Sequence, residues 1–255
     1  MERRFSRYVA IGDSTTEGLD DPDGQGGYRG WANRLADAVN AAQGGGLLYA
    51  NLAIRGRVTR HIKEEQLARA VAMRPDLATV SAGTNDLLRF SFDARVVGDD
   101  IEAMLRALTG IGATVIIFTL PDLRDVMPIA KLFGERTLAL NEEVRRACAN
   151  TGALLLDLAR HPVAADPRVW SDDRLHANSA GHEKIAAAMS HLLGITSDLS
   201  WSDALPPLPP PTFGDIARAE WAWVRNHFAP WLWRHARGIS SGDGRTAKRP
   251  ELTPV

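Results

Sequence analysis

From residue 7 to about residue 194 the chain alternates between two hydrophobic rhythms. Short apolar and β-branched runs, sized as strands, separate longer stretches whose apolar residues recur every three or four positions, as on a helix against a core. Tyr8–Ile11 reads as the first strand. "GWANRLADAVNAA" predicts a helix that stops at Gly44-Gly45-Gly46, and "LLYANLAI" a second strand. A helix over "TRHIKEEQLARAVAM" is closed by Pro75. Strand "DLATVSA", a helix across Asp93–Thr109, strand "ATVIIFTL", a helix around Glu135–Asn150 and strand "ALLLDL" follow. A last helix is expected from Ser179, read as its N-cap, to Leu193. Five strands separated by helices, several apolar throughout, predict an α/β fold with a five-stranded parallel sheet covered on both faces.

The rhythm breaks after Gly194. "LPPLPPP" (205–211) reads as a semi-rigid connector, because proline offers no N–H to a hydrogen-bond ladder. The expected organisation is an α/β domain over 1–195, a Pro-rich linker over 196–212 and a helical extension over 213–238. Residues 239–255, polar and Gly/Pro-containing, are expected to be disordered. Four of the seven tryptophans fall within Trp221–Trp233, and Pro230 is expected to kink or restart that helix. Three readings of the extension stand open: folding back on the sandwich, a dimer interface, or peripheral contact with a membrane. Its four Arg against one Asp and one Glu mildly favour an anionic surface.

Composition narrows the field. A formal net charge of -1 argues against a general nucleic-acid binder, which needs a basic footprint. Cys148 is the single cysteine, which excludes an intrachain disulfide and a thiolate metal cluster. The N-terminal residues lack the apolar stretch of a signal peptide, and no apolar run approaches the roughly 20 residues of a membrane-spanning helix. A soluble, cytoplasmic protein is the expectation, and the pattern fixes no oligomeric state.

In an open parallel α/β sheet, ligands bind beyond the carboxyl ends of the strands. Polar residues gather there: Ser14 after the first strand, Arg55-Gly56 after the second, "GTND" (83–86) after the third and "SDDRLH" (171–176) after the fifth. A serine hydroxyl needs an adjacent base, and His176 can take and return its proton. A carboxylate must then orient the imidazole; Asp173, three residues earlier, suits a tight turn, with Asp172 as the alternative. The backbone N–H groups of Ser14 and Gly56 and the amide of Asn85 supply candidate oxyanion donors. Gly56 is apt because, without a Cβ, its backbone can approach a substrate closely. Arg55 and Arg57 are candidate contacts for an anionic part of the substrate. His182, in the first turn of the last helix, is given no catalytic role.

These blocks together resemble the SGNH (GDSL-type) hydrolases: "GDS", a glycine after the second strand, "GTND" and "DRLHANSAGH", in order over roughly residues 7–194. The resemblance implies a flavodoxin-like three-layer α/β/α sandwich and a serine esterase mechanism that uses no metal and no cofactor. It also implies the roles assigned above to Ser14, Gly56, Asn85, Asp173 and His176, acting on a small-molecule ester. Thr15 stands where the family's namesake leucine does, and "NLAIRG" departs from the usual second block. The same residues suit acyl transfer, thioester cleavage or a lysophospholipase. A silent scaffold working through its Trp-rich tail is the reading from another class.

Overall fold

The protein, described by a computed structural model over residues 4–124, 126–127, 130–131, 133–210, 212–237 and 240–255, is built on one twisted sheet. Its strands are β1 (Arg7–Ile11), β2 (Leu48–Asn51), β3 (Leu77–Val80), β4 (Thr114–Phe118), β5 (Leu154–Leu156) and β6 (Arg249–Pro254). They lie in the order β5-β4-β3-β1-β2-β6, the first five parallel and β6 antiparallel to β2. The sheet has six strands rather than five. Its extra strand comes from the terminal segment expected to be disordered.

"RPELTP" hid this strand because its two prolines cannot donate to a ladder. At a sheet edge that defect is tolerated, and the pairing covers an otherwise open edge of β2. Register runs Leu48↔Pro254, Tyr49↔Thr253 and Asn51↔Arg249, with an irregularity between the last two.

Period-two alternation distributes the strands' side chains between two cores. Val9 and Ile11 face one, Tyr8 and Ala10 the other. On the first side pack α3 (Thr59–Ile62) and α4 (Ala68–Ala72), joined through a π-helical turn over Lys63–Leu67, with α6 (Ala94–Gly110) and α7 (Gly134–Thr151). The second holds α2 (Gly30–Ala42) and α8 (Ser179–Leu192), with Trp31, Leu35, Val39 and Met189 fully buried. Helix α8 is capped by Asn178, not Ser179: its side chain accepts from Gly181 N–H at 3.0 Å.

Because β2 lies on one side of β1 and β3 on the other, the connections diverge between β1 and β3. That switch point opens a crevice at their carboxyl ends. Two short helices sit there, α1 (Ser14–Glu17) after β1 and α5 (Thr84–Leu87) after β3.

After α8 the chain stays on the second core through Trp201 and, beyond the Pro-rich stretch, forms α9 (Phe213–Trp223) and α10 (Ala229–Ala236). Pro230 does not break this helix; a π-helical turn over Val224–Phe228 immediately before it carries the chain through. No helix of the described residues is long and apolar enough to cross a membrane.

Candidate active site

Ser14 opens α1 directly after β1, with Asp13 as N-cap: its Oδ1 accepts from Thr15 N–H at 3.1 Å. The strand end is held from below by Gln66, whose side-chain amide makes paired hydrogen bonds with Gly12 N–H (2.8 Å) and C=O (2.9 Å). Gln66 escaped the sequence reading. The signal was a glutamine on the buried stripe, four residues after Ile62 and four before Ala70.

His176 enters from the loop between β5 and α8. Ser171 N–H donates to His176 C=O at 2.8 Å and Arg174 N–H to Ser171 C=O at 2.9 Å, closing a tight turn with Arg174 at φ 61°. The turn brings Asp173 Oδ2 to 2.6 Å from His176 Nδ1, while His176 Nε2 lies 2.8 Å from Ser14 Oγ. Asp173, not Asp172, is therefore the imidazole's partner. Its other oxygen accepts from Ser171 Oγ (2.6 Å), Leu175 N–H (2.9 Å) and His176 N–H (3.0 Å).

Electrostatics fix the tautomer. Burial alone would raise the Asp173 pKa, but the His176 hydrogen bond and charge, with the Ser171 hydroxyl, hold it well below the usual carboxylate range. An ionised Asp173 only accepts, so Nδ1 carries the proton and Nε2 is free to accept from Ser14. Burial would lower the His176 pKa, yet Asp173, then Asp20 and Asp13, overcome it and raise it. Asp20 Oδ2 stands 3.9 Å from Nδ1. Asp20, Asp173 and His176 form the one potential metal-ligand cluster among the described residues, but a metal on Nδ1 would displace the Asp173 bond.

Ser14, Gly56 and Asn85 line one pocket of about 300 Å³. Asn85 Nδ2 donates to Asp13 Oδ2 (3.1 Å) and to Arg57 C=O (3.0 Å), so both amide hydrogens have partners. Burial pushes the Asp13 carboxyl up to about 6, against the pull of Thr15 N–H and the His176 charge. Next to Asn85, buried Asp86 accepts from Thr59 N–H (2.9 Å) and Oγ1 (2.8 Å), tying down the loop that carries Gly56. Gly56 has φ 74°, the left-handed region glycine tolerates. A Cβ there would lie 2.4 Å from Ser240 Oγ and 3.1 Å from Ser241 Oγ. The glycine thus admits the C-terminal segment, a neighbour the sequence did not reveal.

Of the two arginines, Arg55 lines the pocket beside Gly56 and Asn85, and both have carboxylate partners within the fold. Arg55 is locked to Glu17 through its guanidinium and its N–H, with its guanidinium 5.3 Å from the Tyr28 ring. Arg57 Nε donates to Glu65 at 2.8 Å. His182 is fully buried, with Nδ1 accepting from Trp31 N–H (3.1 Å) and Nε2 donating to Leu19 C=O (2.9 Å). Burial depresses its pKa to about 4, and its place is structural.

The far wall of the pocket comes from α9 and the π turn after it: Trp223, Asn226, His227 and Phe228. Trp223 Nε1 donates to the backbone carbonyl of Asp173 at 2.9 Å, and Arg174 pairs with Glu220 at 2.7 Å. The extension folds back on the sandwich. Behind Leu88, Met127, Phe133 and Leu175 lies a second, apolar cavity of about 110 Å³, which also touches Thr15 and Thr84.

A serine, an imidazole and a carboxylate aligned at the carboxyl rim of an α/β/α sandwich are the equipment of a serine hydrolase. The profile of the GDSL-like Lipase/Acylhydrolase family matches residues 10–184, and the chain belongs to that family. It is a carboxylic ester hydrolase. An acetylxylan esterase from Geobacillus stearothermophilus is 27% identical over 214 residues, 74% of this chain and 94% of that protein. The structure of a serine-to-alanine catalytic mutant of an acetylxylan esterase from that organism superposes with a TM-score of 0.65 at 17% identity, covering 80% of this chain and all of the other. A psychrotrophic esterase from Pseudoalteromonas, inhibited by monoethylphosphonate, gives a TM-score of 0.58 at 16% identity over 74% of this chain and 97% of its own.

Proposed function

We propose that the protein hydrolyses carboxylic esters through an acyl-serine intermediate formed on Ser14. The observation that carries this reading is the unbroken chain from Ser14 Oγ to His176 Nε2 and from His176 Nδ1 to Asp173. Ser14 Oγ attacks the ester carbonyl as its proton passes to Nε2. Asp173 holds the ring and stabilises the imidazolium. His176 returns the proton to the departing alkoxide, and the alcohol leaves. Water, deprotonated by His176, then attacks the acyl-serine, and the acid departs as Ser14 regains its proton.

The oxyanion is received by the N–H groups of Ser14 and Gly56, with Asn85 as third donor. Asn85 keeps the stronger, charge-assisted bond to Asp13 and shares the hydrogen now given to Arg57 C=O. The acyl group extends into the apolar cavity behind Leu88 and Leu175. Its 110 Å³ approach the ~150 Å³ of an apolar cavity that takes up benzene, so an acyl chain of about six carbons is accommodated.

A series of chromogenic esters and a fluorophosphonate probe test this. Hydrolysis and labelling at Ser14 are expected, with butyrate or hexanoate preferred over acetate. Ser14→Ala should lower kcat by on the order of 10⁶ and abolish labelling. A Ser14→Ala protein with retained turnover refutes the mechanism.

A further inference from the structure

The helical segment over residues 213–237 carries apolar side chains on two faces. On the inner side, Trp223 and Phe228 pack with Met127 and Ala130 against the pocket. On the outer side, Phe213 is 86% exposed, Trp221 68%, Trp233 55% and Leu232 49%. Arg218 stands three residues before Trp221 and Arg225 four after it, so all three share a stripe. Arg237, four residues after Trp233, lies over that ring at 3.8 Å. Of the segment's acidic groups, Glu220 is taken by Arg174, while Asp215, in a capping box with Thr212, also pairs with Arg218 and leaves Arg225 and Arg237 as the cations of this face without an acidic neighbour among the described residues of the segment. The outer surface is therefore aromatic and cationic on a protein of net charge -1.

We propose that this outer face docks the enzyme on an anionic lipid surface. Tryptophan favours the headgroup boundary, and arginine beside it reaches the lipid phosphates while its stem stays in apolar surroundings. The segment is tethered at both ends, by buried Trp201 before the Pro-rich stretch and by β6 after it. Docking therefore requires no detachment from the sandwich. A helix is about 10 Å across, so the pocket walled by its inner face lies about one helix diameter from the lipid. Docking stands without the hydrolytic reading; the corollary, that lipid-borne esters reach Ser14 from the bilayer, rests on it.

The test is co-sedimentation of the full chain with phosphatidylcholine vesicles, with and without phosphatidylglycerol, at low and high salt. Binding to the anionic vesicles is expected, weakened by salt. The triple variant Phe213→Ser, Trp221→Ser, Trp233→Ser should bind at least tenfold less. Arg225→Gln should bind about fivefold less, the worth of about 1 kcal/mol per basic residue near an anionic surface. None of these residues lines the pocket, so turnover of a water-soluble ester is expected unchanged in the triple variant. Wild-type protein left in the supernatant with anionic vesicles overturns the proposal, as does undiminished binding by the triple variant. So does a dimer, seen by light scattering, that the triple variant dissociates while vesicles are ignored. Binding without turnover of any ester would instead sink the hydrolytic reading and leave docking intact.

Discussion

Ser14 and Trp223 line the same pocket but reach it by different rules. Ser14 is delivered by β1, its position set by a buried strand, the Asp13 cap and the Gln66 clamp on Gly12. Everything that orients it comes from inside the sandwich. Trp223 is delivered by a helix outside the region shared with the family profile, and it is fastened by its indole N–H, the Arg174 guanidinium against its ring, a neighbouring ion pair and a small apolar cluster. The first arrangement is held by the whole core, the second by a seam. On the proposed mechanism the reacting groups are all supplied by the sandwich, while the extension supplies one wall of the pocket, where change costs the core little.

The strongest way to break this division is within the sandwich. Asp173→Asn keeps the shape of the turn but removes the charge that fixes the His176 tautomer. Its kcat should fall by about 10⁴, the scale seen when a triad carboxylate becomes an amide. In the wild-type enzyme, kcat/KM should rise with pH as His176 loses its proton. Because Asp173, Asp20 and Asp13 raise that pKa, the inflection should lie above the ordinary value of about 6.5, with activity lost as pH falls through it. The variant's residual activity should inflect at lower pH. An unchanged inflection would mean that His176 is not the titrating base.

What the sequence disclosed follows the same division. The alternating rhythm located five strands, and the rim they define gathered Ser14, Gly56, Asn85, Asp173 and His176, because those positions depend on local period and chain order. Asp13 and Asp86 lay within "GDS" and "GTND", yet their bonds to Asn85 and Thr59 join distant loops. The period of the extension showed a helix but not what its inner face meets. Nothing local marks Trp223 as the partner of the Asp173 carbonyl. Strand β6 was invisible because its pairing energy is non-local and its composition is that of a loop. The pairing of Arg55 was equally hidden, because Glu17, 38 positions earlier, is brought to it only by the fold.

A weaker perturbation tests the seam. Trp223→Ala removes a buried indole from the cluster with Met127 and Ala130 and the donor to Asp173 C=O. About 3 kcal/mol is expected, the low end for truncating a buried aromatic. If the extension opens on its own, amide exchange over 213–237 should accelerate roughly 100-fold while the strands' protection stays unchanged. Equal acceleration in β1 and β3 would make the extension part of the core's cooperative unit and dissolve the comparison.

The smallest expected effect lies at Arg174, where seam and site share one residue. Its guanidinium pairs with Glu220 at 2.7 Å and sits 5.3 Å from the Trp223 ring, while its backbone holds φ 61° in the turn that carries Asp173 and His176. Glu220 is partly open to solvent, so the pair contributes at most about 1 kcal/mol, and the ring contact roughly 0.5–1 kcal/mol. Arg174→Ala loses both contacts and keeps the strained backbone. Arg174→Gly loses the same contacts but relieves a left-handed conformation that costs an L-residue roughly 1–2 kcal/mol. Denaturant unfolding should therefore rank the glycine variant at or above the alanine variant, within about 1 kcal/mol of wild type. Exchange over 213–237 should accelerate equally in both, because strain relief acts on the turn and not on the seam. A glycine variant less stable than the alanine variant would show that the turn is held by the extension, and that the two regions are not separable.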